Sequence, residues 1–162
     1  MPVAIVGACG NAAAHPAPGA TGQVAPSNAI VEVVIDGDTI DVQIAGDTER
    51  IRMIGIDTPE TKRPDSPVDC FGPEATAFTE SLLTPGTRVR LERDAVGRDD
   101  YGRILAYVYR ADDGILVNLE IVRQGYARPL TIPPNVAFVD LFVEAARDAE
   151  RADAGLWSAC RG

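Results

Sequence analysis

The chain has 162 residues, 46% of them hydrophobic and 24% charged, with a formal net charge of −9 at pH 7. This length holds one domain with a proper hydrophobic core and hardly two, and the composition is that of a soluble globular protein. The acidic excess argues against a general nucleic-acid coating protein, which would carry a basic face. It leaves room for an enzyme with a local cationic site, above all one whose acids hold a metal cation. Of 15 basic residues only Lys62 is a lysine. Arginine is the better bidentate phosphate binder, although a skew this large can equally follow genome composition.

Formal side-chain charge starts at Glu32, and residues 1–27 are different material. MPVAIVGACG is followed by NAAAHPAPGATGQVAPS, small residues with Pro and Gly that cannot bury a core and read as a flexible tether. The first ten residues resemble the tail of a signal peptide without its basic n-region. Val6-Gly7-Ala8-Cys9 has the pattern of a bacterial lipoprotein cleavage box behind a short apolar run. The expectation is a secreted or bacterial cell-envelope protein, with membrane attachment through an acylated Cys9 as one form of it. No segment of the mature chain is long enough to cross a membrane as a helix. In an exported chain the simplest cysteine pairing is Cys70 with Cys160, pinning the tail to the domain and leaving Cys9 for acylation. In a reducing compartment all three stay thiols, and neither C-x-x-C nor Cys/His zinc spacing is present. The only histidine, His15, lies in the tether, so no serine or cysteine triad can draw on a folded imidazole.

From residue 28 the domain opens with strands. Val31, Val33 and Ile35 alternate with other residues, as do Ile40, Val42 and Ile44. Asp36-Gly37-Asp38-Thr39 is a tight connection between the two runs, and Ala45-Gly46-Asp47-Thr48 turns into a third strand over residues 49–56. TKRPDSPVDCF, with two prolines and no periodicity, reads as a surface loop. A helix starts at Pro73 with Glu74 in its first turn, buries Ala75, Phe78 and Leu82, and ends at Pro85-Gly86. Strands over residues 88–93 and 104–109 follow, then a short helix over 117–124 closed by Gly125. The proline-broken loop PLTIPPN precedes a last helix over 136–152 with Phe138, Leu141, Phe142, Ala145 and Ala149 as its buried stripe. A meander closed by two later strands predicts an α+β fold: a five-stranded oligonucleotide/oligosaccharide-binding (OB) β-barrel with three helices.

The third strand carries the chemistry. IRMIGIDTPET buries an arginine within an apolar run, which is costly unless an anion meets it. Pro59 then stops the strand where Asp57 and Glu60 stand. Adjacent strands usually pair, so the Asp36/Asp38 junction and the Asp57 turn meet at one barrel end. Hard oxygen ligands without His or Cys suit Ca²⁺ or Mg²⁺ and not zinc. Such a cation with Arg52 and Arg103 forms a kit for phosphoryl transfer, with Glu60 placed to act on water. Strict alternation puts Arg52 on the opposite face from Asp57, so one site requires a bend, and Gly55 is the natural place for it. Each residue has a plainer reading: Asp36 as a turn former, Arg52 as an ion-pair partner, Arg103 as a strand-edge charge, Tyr101 as barrel packing, and Arg63 and Arg128 as solvated surface instead of a substrate track.

The segments VIDGDT, RMIGIDTPET, CFGPEATAF, DDYGRILAYVY and LVNLEIVRQGYA resemble, in order and spacing, the staphylococcal nuclease (thermonuclease) family over about residues 28–157. The resemblance implies the OB barrel with helices and a Ca²⁺-dependent nuclease that hydrolyses DNA and RNA to 3′-phosphate ends. It implies Asp38, Asp57 and the Thr58 carbonyl as metal ligands, Glu60 on the attacking water, Arg52 and Arg103 on the phosphate, and Tyr101 at the substrate. Asp36 stays open between structural support and the metal site. The implied substrates are DNA and RNA, preferably single-stranded, acted on by a monomer with no obligate protein partner. The chain departs from the family's best-known, strongly basic member at Asp65, Ser66 and Asp100, which replace lysines, and at Thr131 and Pro133, which replace tyrosines of the nucleotide pocket. Substrate grip is therefore expected to be weaker and more salt-sensitive than in basic members. These departures keep a second class open: a non-catalytic nucleic-acid or protein-binding module of the same fold.

Overall fold

The structure is a computed structural model that describes residues 26–61 and 67–161. The leader and tether expectations, with Cys9 and His15, lie outside the described residues, as do those for Arg63, Asp65 and Ser66. In chain order the elements are β1 (Ala29–Asp36), β2 (Thr39–Ile44), β3 (Asp47–Met53), β4 (Gly55–Asp57), α1 (Gly72–Leu82), β5 (Arg88–Glu92), β6 (Ile104–Arg110), α2 (Val117–Arg123), β7 (Arg128–Leu130), α3 (Val139–Arg151) and α4 (Leu156–Ala159). Five strands close a barrel in the order β1-β2-β3-β6-β5, with β5 returning to β1. Only the β3–β6 pair in the barrel is parallel. Closure removes the exposed edges that an open five-stranded sheet would present.

The alternation read from the sequence fills the barrel from β2, but in β1 it fails beyond Val31: a register shift between Val31 and Val33 leaves Val33 45% exposed and buries Val34 in its place. Val31, Ile40, Val42, Ile51, Met53, Val89, Ala106 and Val108 are all essentially inaccessible to solvent. Side chains two apart along a strand share a face, so these positions converge on one interior. Helix α2 contributes Leu119, Ile121 and Val122 to the same core, and α3 contributes Phe142, Ala145 and Ala146. Phe138 and Phe142 meet the Tyr107 ring, the first edge-on at 4.6 Å between centroids. Burying side chains of this size stabilises the fold by roughly 1.5–3 kcal/mol each, before conformational entropy is counted.

The predicted third strand is broken in two, and the break positions the site. β3 ends at Met53, Gly55 adopts φ +84°, and the chain leaves the barrel to pair with β7 instead. A side chain at residue 55 would clash with the buried ring of Phe142, so the bend needs glycine on two counts. The backbone groups freed at the break are met by the fully buried Asn118. Its amide donates to the Ile54 and Ala106 carbonyls at 2.9 and 3.3 Å and its oxygen accepts the Val108 N–H at 2.9 Å. The partner strand β7 takes its last two residues, Pro129 and Leu130, from PLTIPPN, a loop by its prolines. Its pairing is tertiary, and three residues carry too little periodicity to announce it. The three expected helices are present, α3 starting at Val139 instead of residue 136. A fourth, short helix carries Trp157 and ends beside Cys160.

Candidate active site

The β1–β2 junction places two carboxylates at the mouth of the barrel. A register shift between Val34 and Asp36 curls the end of β1, a bulge of the kind that re-aims side chains at barrel rims. Thr79 of α1 donates its hydroxyl to the Gly37 carbonyl at 2.7 Å and so anchors the turn from below. Asp36 accepts the Asp38 N–H at 3.2 Å. Asp38 is 6% exposed; its carboxylate accepts the Thr39 hydroxyl at 3.0 Å and the Thr58 N–H at 3.0 Å. The aspartate junction and the Asp57 turn therefore meet, as adjacency of the strands implied.

Arg52 joins them because the strand bends after it. Its Nη1 donates to the carbonyls of Met53 and Ile56 at 2.6 and 3.0 Å, bracing the kinked segment from inside. Its Nη2 lies 3.1 Å from Asp38 and 3.3 Å from Asp57. The Arg52 side chain is only 15% exposed, so removing it would strand the buried Asp38 carboxylate without a counter-charge. Arg103 reaches the site from the start of β6. Asp99 holds it, taking its Nε at 2.7 Å and its backbone N–H at 2.9 Å. Burial works against the Asp99 charge, but the hydrogen bonds from Arg103 and Tyr101 outweigh it and hold the carboxyl below its ordinary range. Tyr101 is 86% exposed, with the Arg103 guanidinium 5.6 Å from its ring centroid. It is not barrel packing.

Glu60 follows Pro59 in the same rim. Its carboxylate accepts the Thr61 N–H at 3.0 Å, while its backbone is clasped by Asp69: the Glu60 N–H donates to Asp69 Oδ2 at 3.0 Å and the Asp69 N–H donates to the Glu60 carbonyl at 2.9 Å. Next to Asp69, Cys70 forms the disulfide with Cys160, with 5.9 Å between the Cα atoms. Asp36, Asp38, Arg52, Asp57, Thr58, Glu60 and Arg103 all line one cavity of about 370 Å³, together with Asp69, Arg128 and the disulfide. A second cavity of about 380 Å³ adjoins it through Arg52 and Arg103 and is floored by Ile54, Leu130 and Ile132 beside Tyr101. Asp69 and Asn118 have no sequence signal, since they act on backbone groups brought near by the fold. Asp99 has a local one: it stands four residues before Arg103, a spacing at which side chains can meet in a turn.

Electrostatically the cavity is overloaded with acid. Asp36 is pushed up to about 6 from an ordinary value of 3.8, by burial first and then by the charge of Asp38. Asp38 and Asp57 converge on a single nitrogen of Arg52, so their oxygens already share one positive point. An all-oxygen donor set under this negative pressure fits a hard divalent cation. Among the described residues no three His, Cys, Asp or Glu side chains converge on one metal position. The predicted set does not require three, since its third ligand is the Thr58 carbonyl.

The family model for staphylococcal nuclease homologues matches residues 50–159. The chain belongs to the staphylococcal nuclease family. It is 42% identical over 128 residues to the thermonuclease of Staphylococcus intermedius, covering 79% of this chain and 74% of that protein. The thermonuclease of Staphylococcus hyicus is 41% identical over 125 residues, 77% of this chain and 72% of that one. The SPbeta prophage-derived endonuclease YokF of Bacillus subtilis (strain 168) is 38% identical over 126 residues, which span 76% of this chain and 42% of that protein. Membership in the nuclease family agrees with the closed barrel and its helices.

Proposed function

We propose that the protein is a Ca²⁺-dependent nuclease that hydrolyses phosphodiester bonds of DNA and RNA to leave 3′-phosphate ends. The observation that carries this reading is the convergence in one cavity of Arg52, Arg103, a carboxylate pair joined by a single cationic point, and Glu60. The names of the relatives, two thermonucleases and an endonuclease, support the reaction class. Arg52 and Arg103 bind the scissile phosphate and stabilise the charge that builds on its non-bridging oxygens, an interaction strongest where water is excluded. Asp99 occupies Nε of Arg103 and so leaves the two terminal nitrogens to form a fork for the phosphate. Glu60 orients a water and takes its proton as the oxygen attacks phosphorus; the bond to the 5′ oxygen breaks and the phosphate stays on the 3′ side. Asp38, Asp57 and the Thr58 carbonyl would hold the cation, with Asp36 supporting Asp38, and the bound ion would neutralise phosphate charge and polarise the water. Tyr101, exposed beside the second cavity, offers a face for a base or sugar of a single strand. We further propose that the protein is exported, which the Cys70–Cys160 bridge supports because disulfides persist in oxidising compartments, and that it acts as a monomer.

The test is hydrolysis of heat-denatured DNA by the full chain at low salt, with Ca²⁺, with Mg²⁺ and with a calcium chelator. Cleavage that needs Ca²⁺ and yields 3′-phosphate ends is expected, and Glu60→Gln lowers turnover by about 10²–10⁴-fold with Ca²⁺ binding retained. Unchanged turnover in that variant removes Glu60 from the mechanism. A folded, Ca²⁺-binding chain that cleaves nothing points to the binding-module reading instead.

A further inference from the structure

A third guanidinium lines the same cavity and is held differently from the other two. Arg128 opens β7, directly opposite Asp57 in the β4–β7 ladder. Arg52 is engaged by Asp38 and Asp57, and Arg103 by Asp99. Arg128 lies instead over the ring of Trp157, 4.7 Å from its centroid; among the described residues it makes no ion pair. An arginine stacked on an aromatic face keeps its in-plane N–H donors available, and those donors match a phosphate bidentately. The platform is itself fixed: α4 carries Trp157, its Leu156 is buried, and the disulfide at Cys160 ties the end of α4 to the wall of the cavity. The cavity is lined by five carboxylates, those of Asp36, Asp38, Asp57, Glu60 and Asp69, against three arginines. A cation that pairs with none of them is placed to meet an anion from outside.

We propose that Arg128, set on Trp157, binds the backbone phosphate next to the scissile one, so that the site grips at least two consecutive phosphates of its substrate. This rests on the nuclease reading above and adds a residue to it. It also supplies local grip in a chain whose net charge of −9 provides no general attraction for a polyanion. Arg128 is a binding residue and takes no part in proton transfer.

The experiment uses the full chain and a short oligothymidylate. Binding is measured in the Glu60→Gln background with Ca²⁺ across a salt series, with Arg128 or Arg128→Ala, and cleavage kinetics are measured with Glu60 intact. Arg128→Ala is expected to raise KM about tenfold with kcat within about twofold, as for loss of one charge-assisted contact. The slope of log affinity against log salt should fall by about 0.7, the single-strand value for one phosphate. Arg128→Lys should recover the slope but not the full affinity, since lysine keeps the charge and loses the fork. A neutral methylphosphonate next to the cleaved bond, placed on each side in turn, should weaken the wild type on one side and leave Arg128→Ala unaffected there. Wild-type KM and slope in Arg128→Ala overturn the proposal. So does a raised KM with an unchanged slope and a lowered melting temperature, the signature of a structural role. Failure of the wild type to cleave refutes the nuclease reading alone, because the binding arm still decides Arg128; failure to bind at all refutes both.

Discussion

The disulfide closes a segment of 90 residues between Cys70 and Cys160, more than half the chain. In the chain-entropy description, a cross-link of that span removes about 15 cal/mol/K from the unfolded ensemble, which amounts to about 4.6 kcal/mol at 25 °C. Native bridges typically contribute about 2–4 kcal/mol, so the calculated figure is an upper value. For a domain of this size 1 kcal/mol corresponds to about 3–4 °C in melting temperature. The double variant Cys70→Ala/Cys160→Ala should therefore melt about 6–16 °C below the oxidised protein. Cys70 is exposed, so a phosphine reductant should bring the wild type down to the same midpoint. Thermal unfolding followed by far-ultraviolet circular dichroism, with and without reductant, is the assay. A difference under about 3 °C would refute the entropic argument, and a reductant effect persisting in the double variant would assign the change elsewhere. Because Cys70 adjoins the Asp69 clasp on Glu60, the double variant should also lose turnover at temperatures where it remains folded.

Three further outcomes follow from the geometry. Gly55→Ala should cost about 2–5 kcal/mol, combining a positive φ with overpacking against buried Phe142; a variant within 0.5 kcal/mol by urea unfolding would mean the bend does not need glycine. Asp36 titrates near 6 in the native state and near 3.8 when unfolded. Between those values the native state binds the extra proton, so metal-free stability falls as pH rises and the cost is complete above about 6. Asp36→Asn should flatten that slope, and parallel stability-versus-pH curves for the two proteins would contradict the assignment. Asp99→Ala should lower kcat about tenfold or more by releasing Arg103, with Ca²⁺ affinity little changed; unaltered kcat would show that Arg103 is positioned by other contacts.

Much of the barrel was legible along the chain because its strands are long enough to display their period. Ile40 and Val42 alternate with polar neighbours, and the same alternation buries them, whereas the bulge in β1 that exposes Val33 and buries Val34 has no local signal. The site acids and arginines were legible for a related reason. Asp38 and Asp57 stand at strand ends marked by Gly37 and Pro59, and a charged Arg52 between buried Ile51 and Met53 asks for an anionic partner. Even the bend at Gly55 could be foreseen, since one face of a straight strand cannot hold both Arg52 and Asp57.

What remained hidden depends on contacts between distant segments. β7 has three residues and exists only because the kinked β4 offers it an edge. Asn118 looks like any helical polar residue until the break in β3 leaves carbonyls for it to satisfy. Asp69 reads as a loop acid, yet it clasps the Glu60 backbone. Arg128 and Trp157 are 29 positions apart, with no pattern linking them, and meet because α3 packs on β7 and carries α4 back with it. Periodicity and turn chemistry are local properties that the chain carries in its own order; which charge faces which ring or backbone group is set by packing, and only the folded molecule decides it.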